Sequence, residues 1–277
     1  MSRLNPIWDK HFYQTSPIFS PLAQITKQLT ANNNWPDLDA YNQLITKNEK
    51  QIVNHNGLHI RFIPQTVQQI SFDDQYESMI YQQGLVQTRM ASWHDFFQVL
   101  IWSIFPITKS YLNALHYQSS LERRQKNPNN KLRSKLENFV TLFDECGAVI
   151  IYNDPLHKSL IQNFDWRELF INNKKAFTNN LECIVFGHAM YEKSIMPYIG
   201  MTAHVLFLYQ PDSFFSLPMT VKLAIIDKSL AQLLKENKDW TTKDLNPFPL
   251  LGVPGWYPDN NRLEFYNNDK YFRKKPV

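Results

Sequence analysis

Glycine is scarce in this chain, with 7 in 277 residues, and only Gly252 and Gly255 stand close together. No G-x-G-x-x-G turn, Walker P-loop or G-x-S-x-G elbow can be written on them. Dinucleotide, P-loop nucleotide and ordinary α/β-hydrolase chemistries are therefore disfavoured, and no nucleotide-binding motif is present. Cysteine is scarcer still. Cys146 and Cys183 sit beside apolar residues, too few for a disulfide framework or a CxxC knuckle, and they read as two buried free thiols in a reducing compartment. Long hydrophobic runs are also missing. The most apolar stretch, residues 99–105, falls far short of the roughly 20 residues that span a bilayer. Residues 1–6 lack the apolar h-region of a signal peptide. The expectation is a soluble, cytoplasmic protein with no membrane partner. A formal charge of +4, mixed along the chain, gives no bulk field for nucleic acid. The basic segments at 123–135 and 270–275 read as a solvated loop and terminus. Nucleic acid is not an expected partner, and a small molecule or a protein ligand stays open.

Aromatic residues are abundant, with 7 Trp, 13 Tyr and 19 Phe. Buried rings remove large apolar areas from water, so a sizeable core is feasible at this length. Residues 38–45 read as a helix, and 58–63 alternate apolar and polar as a hairpin-like strand. Residues 76–89 fit either a helix or an extended segment. From Ser92, residues Trp93, Phe96, Phe97, Leu100, Ile101, Ile104 and Phe105 recur at spacings of three and four, giving a helix with a wide apolar face. Pro106 interrupts it, and a second helix follows. Residues 148–152, 181–186 and 203–209 are strand runs, with helical segments after 154, 189 and 221. Strand–helix–strand order favours parallel pairing, whereas the strand at 58–63 favours a mixed sheet. The expected fold is α+β, a helix-rich single domain over residues 1–277 with a small mixed sheet. An α/β layer with parallel strands is the alternative. Residues 240–277, rich in proline and aromatics, read as an ordered wrap.

Several segments together resemble the DUF3025 family of bacterial proteins of unknown function. They are Thr88-Arg89 before Trp93-His94-Asp95-Phe96-Phe97, then Phe105-Pro106 with Lys109, Leu112, Asn113 and His116, then residues 141–145 with Gly147. Phe186-Gly187-His188-Ala189-Met190-Tyr191-Glu192-Lys193 and the run 249–260 complete the set, in order, from about 35 to 273. The resemblance marks residues worth testing and transfers no activity.

Chemistry can be read at a few polar clusters. His188 and Glu192, four apart on a helix, share a face. Such a pair can supply metal ligands, or a base and its orienting carboxylate; a plain i,i+4 pair is the structural reading. His94 is left over beside Asp95, whose S-x-x-D spacing from Ser92 already marks a capping box. Asp144 and Glu145, a paired carboxylate, could hold a divalent metal, the one cofactor class left open, or form an acidic turn before Gly147. Asp154 could join such a metal, or cap a helix ahead of Pro155. If strands 148–152 and 181–186 run parallel, Asp154 falls near His188. If antiparallel, Asp144 and Glu145 do. Two functions follow: a hydrolytic or metal-assisted enzyme centred on His188, Glu192 and His94, or a non-catalytic binding or scaffold protein whose polar motifs are structural.

Overall fold

The computed structural model describes residues 7–30, 33–46, 51–65, 71–127 and 132–275. Strands β1 (Arg61–Pro64) and β2 (Leu85–Thr88) form a parallel pair. Strands β3 (Gly147–Tyr152), β4 (Leu181–Val185), β5 (Thr202–Tyr209) and β6 (Asn246–Pro249) form a second sheet in the order β4-β3-β5-β6. The helices are α1 (Ala23–Leu29), α2 (Leu38–Thr46), α3 (Tyr76–Gln83), α4 (Trp93–Ile104), α5 (Pro106–Lys126) and α6 (Lys135–Cys146). They continue with α7 (Pro155–Asn163), α8 (Ala176–Asn179), α9 (His188–Ser194), α10 (Asp212–Phe215) and α11 (Met219–Glu236). The class is α+β, helix-rich with small mixed sheets.

The parallel-strand alternative does not hold for β3 and β4, which are antiparallel, Ala148 facing Val185. The connection between them doubles back. Helix α7 ends at Phe164 in the left-handed region (φ 61), and the chain returns to the end it left, where Asn153 N–H donates to the Asn180 carbonyl. The parallel neighbour of β3 is β5. Strand β6 was not foreseen, because Pro247 and Pro249 argue against a strand. It lies at the sheet edge, where a missing N–H costs no ladder bond.

The strand at 58–63 is not a hairpin partner of the main sheet: β1 covers Arg61–Pro64 and pairs with β2 in parallel. Residues 76–89 hold both structures in turn, α3 and then β2. Gly84 separates them in the left-handed conformation (φ 72), and a Cβ there would run into the His59 carbonyl. The solvated loop expected at 123–135 is also shorter than that span. Helix α5 runs to Lys126, and a capping box of Ser134 and Glu137 opens α6. Arg123 reaches the buried Glu137 at 2.8 Å, so its charge knits two helices; residues 128–131 lie outside the described residues.

Helix α4 is buried almost all round, including Trp93, Phe96, Phe97, Val99, Leu100, Ile101 and Trp102. The N-terminal aromatics pack on it: Phe12 lies 5.1 Å from Trp93 and 5.3 Å from Phe97 between ring centroids. Pro106 starts α5 directly after α4, a position that needs no N–H. The next two N–H groups, of Ile107 and Thr108, donate at 3.0 and 2.8 Å to the Asp227 carboxylate on α11. Burial pushes that carboxyl up and these donors oppose the shift. The clamp fixes the first turn of α5, and with it Lys109.

Candidate functional site

Three helix ends meet at one point: the first turns of α4 and α9 and the last turn of α6. Asp144 and Glu145 belong to that last turn, not to a loop before the strand. The junction is tight. A Cβ on Gly187, just before α9, would drive into the Glu145 carbonyl oxygen, and Gly187 N–H donates to the Gly147 carbonyl at 2.8 Å. This close approach puts His188 beside Asp144. Gly187→Ala is expected to cost about 1–3 kcal/mol through forced backbone shifts. Urea unfolding measures it, and a loss of only a few tenths would show that the junction can relax.

Around this junction five polar side chains form a series. Glu192 Oε2 lies 3.0 Å from His94 Nδ1, and His94 Nε2 lies 3.0 Å from His188 Nε2. His188 Nδ1 faces Asp144 Oδ2 at 3.6 Å, and Asp144 Oδ1 accepts from Lys109 Nζ at 2.5 Å. The series runs from buried to exposed. The His188 side chain is 4% accessible, and that of Glu192 is 34% accessible.

Proton counting orders the series. An ionised carboxylate only accepts, so His94 Nδ1–H donates to Glu192, and in the neutral imidazole His94 Nε2 then accepts. His188 therefore donates from Nε2, and its Nδ1 is bare. The 3.6 Å gap to Asp144 fits that assignment, being too long for a hydrogen bond. Burial pushes His188 down to about 4, with Asp144 opposing the shift and Lys109 adding to it. Burial alone would raise Asp144, but the Lys109 ammonium, with help from His188, holds it below the usual carboxylate range.

The series borders a cavity of about 390 Å³ whose lining includes Arg89, His94, Lys109, Asn113, Asp144 and His188. That is within the usual range for small-molecule sites. Asp95 lines it too, but Asp95 takes the Arg89 backbone N–H at 2.5 Å and its guanidinium at 2.7 Å, and so holds the loop before α4.

The candidate residues separate cleanly. His94, His188, Glu192 and Asp144 stand together, and Glu145 lines the cavity. Asp154 does not join them. It caps α7 by accepting from Leu156 N–H at 2.9 Å, beyond the far end of β3, about 20 Å of strand away. Among the described residues no group of three His, Cys, Asp or Glu side chains could hold a metal ion. Sequence reasoning missed Lys109, Gln87 and Trp102 as site residues. The signal for Lys109 was its spacing with Asn113 and His116, polar residues four and seven along one face of a helix that is otherwise packed.

The family described as "Protein of unknown function (DUF3025)" matches residues 60–276. The chain belongs to the DUF3025 family. The match starts at 60 where the sequence reading placed the resemblance from about 35, and every residue of the series and the cavity lies inside it. Searches of curated proteins and of solved structures find no match. Among the described residues no helix is long and apolar enough to cross a membrane.

Proposed function

We propose that this DUF3025 chain is a single-domain enzyme that moves a proton between a small substrate in the cavity and solvent. The observation behind it is the hydrogen-bonded series from buried His188, beside Asp144, through His94 to half-buried Glu192. His188, kept in its basic form at neutral pH, accepts a proton at Nδ1. Asp144 stabilises the imidazolium that forms, and Lys109 keeps Asp144 ionised. The Nε2 proton of His188 passes to His94, and the Nδ1 proton of His94 to Glu192, which releases it to water. Such general acid–base catalysis contributes about 10²–10⁴-fold in rate. With water as the proton donor the reaction class is hydrolysis: the hydroxide left in the cavity adds to the substrate, the scissile bond breaks, and the leaving group takes a proton back from solvent, so no net proton is lost. The metal-assisted form has less support, because Asp154 is remote and no three-ligand group is formed among the described residues. We also place the protein in the bacterial cytoplasm, where its two unpaired thiols, Cys146 and Cys183, stay reduced.

The test uses a mixture of polar metabolites, incubated with the wild-type protein or with His94→Asn and followed by mass spectrometry. His94 is partly exposed, so its variant should melt close to wild type. The wild-type protein is expected to consume at least one metabolite, with the product gaining a water, and the variant to lose that turnover. An unchanged mixture, or full turnover by the variant, removes the reading in favour of a binding protein.

A further inference from the structure

The wall of the same cavity restricts what it can hold, taking as given the reading above that this is the substrate site. Five buried side-chain atoms on its lining residues lack a hydrogen-bond partner among the described residues: Gln87 Oε1, Trp102 Nε1, Asn113 Oδ1, His116 Nδ1 and His188 Nδ1. Gln87, Trp102, Asn113 and His188 are each more than nine-tenths buried. Buried polar groups are nearly always paired in native proteins, so a concentration of unpaired ones just behind one cavity wall marks a lining that a bound molecule completes once these side chains shift to reach it.

The types of these atoms decide its chemistry. Asn113 has no freedom in its amide orientation, because its Nδ2 donates to the Glu77 carbonyl at 3.0 Å and to Glu77 Oε2 at 2.6 Å. Its Oδ1 is therefore an acceptor. Gln87 Nε2 lies 2.9 Å from Met79 Sδ, which leaves Oε1 as a second acceptor. Trp102 Nε1 can only donate. A partner must then give hydrogen bonds at these two carbonyls and at the bare Nδ1 of His188, and accept one from Trp102. A phosphate or carboxylate, which only accepts, would face two carbonyl oxygens.

Charge points the same way. The lining carries three cations, Arg89, Lys109 and Arg133, against four carboxylates, Glu77, Asp95, Asp144 and Glu145. Arg89 and Lys109 are committed to Asp95 and Asp144, and Arg133 is on the exposed rim. An anion entering the cavity finds no uncommitted cation in its interior.

We infer that the cavity binds a small uncharged ligand bearing both hydrogen-bond donors and acceptors, such as a polyol, a carboxamide or a nucleobase. Trp102→Phe keeps an aromatic ring beside Lys109 Nζ, which lies 5.4 Å from the native ring, and removes the unpaired donor together with the volume of the five-membered ring. Gln87→Met removes an unpaired acceptor. Gln87→Met should be at least as stable as wild type, because a buried unsatisfied group is gone, whereas Trp102→Phe sets the same gain against the cavity left by the smaller ring. Each should bind about tenfold more weakly, the worth of one such hydrogen bond.

The experiment is a saturation-transfer NMR screen of the whole chain. It uses a fragment library with matched neutral and acidic members, including free polyols, carboxamides and bases beside their phosphorylated or carboxylated counterparts. Neutral donor–acceptor fragments are expected to bind, with the strongest of the three classes naming the source. Their signals should weaken in Trp102→Phe and Gln87→Met while both variants stay folded and the melting temperature of Gln87→Met holds. Stronger binding by the acidic members, or no fragment sensitive to both variants, overturns the inference. The outcome is separable from the catalytic reading. Neutral binding without turnover removes only the proton-transfer proposal, and turnover of an anionic metabolite removes only the ligand class.

Discussion

Lys109→Met is expected to destabilise the protein by about 3–5 kcal/mol near neutral pH, the usual cost of stranding one member of a buried ion pair. The Lys109 side chain is 6% accessible and that of Asp144 17%, so the only water near the stranded carboxylate is that of the cavity it lines. Methionine has similar length and fills the space beside Trp102, which isolates the charge from the packing. Two further results separate the electrostatic account from a simple packing defect. Lys109 is one of the charges that hold His188 down, so its removal lets His188 gain a proton more readily and become a new partner for Asp144. The penalty should therefore shrink between about pH 8 and about pH 5.5. Adding Asp144→Leu should recover much of the loss, since a pair replaced by apolar groups is often neutral or stabilising. Urea titrations of the three proteins at both pH values provide the comparison. A loss below about 1 kcal/mol for Lys109→Met, or one independent of pH, would show that the pair is solvated and contributes little.

What could be read from the chain and what could not divide by distance along it. The start of α4 was legible: Ser92 and Asp95 have capping spacing, and Ser92 Oγ does accept from Asp95 N–H. Yet Asp95 also binds Arg89 through both backbone and side chain, which a four-residue pattern does not contain. The His94–His188 contact joins residues 94 apart, and its existence depends on Gly187 passing against Glu145. Periodicity reports which face of a helix is apolar, not which helix end meets which. The direction of β4 shows the same limit. Strand–helix–strand order favours a parallel neighbour, and β3 has one, but it is β5, because the left-handed turn at Phe164 sends the intervening chain back. Lys109 was visible as part of a motif, but a lone lysine on a helix reads as solvated until its carboxylate partner, 35 residues away, is known. At Asp154 the local reading was sufficient, because an N-cap is a contact with the residues next in sequence.

The second large effect is a loss of wild-type stability in mild acid that belongs to His188. Burial holds this imidazole at about 4 in the folded protein, against about 6.5 in an unfolded chain. Between those values the unfolded state binds a proton that the native state refuses, so stability falls as the pH falls. Above the unfolded value neither state is charged and the slope vanishes. Below the folded value both are charged and the loss is complete. The span corresponds to about 3 kcal/mol. Two other imidazoles, His157 and His204, are also held down by burial, so the wild-type slope in this window contains their contributions as well. His188→Gln isolates the share of His188. The amide can still donate to His94 Nε2 but cannot take a proton, so its stability should fall by about 3 kcal/mol less than wild type between pH 7 and pH 4. Asp144 and Glu137, both held below the ordinary carboxylate range, lose their contributions only at lower pH, as it falls through their folded values. Acid loss from His188 should thus precede loss from the carboxylates. Parallel pH slopes for the two proteins would mean that His188 is hydrated or already paired with Asp144 as an imidazolium. In either case the bare Nδ1 that the proton series requires would not exist.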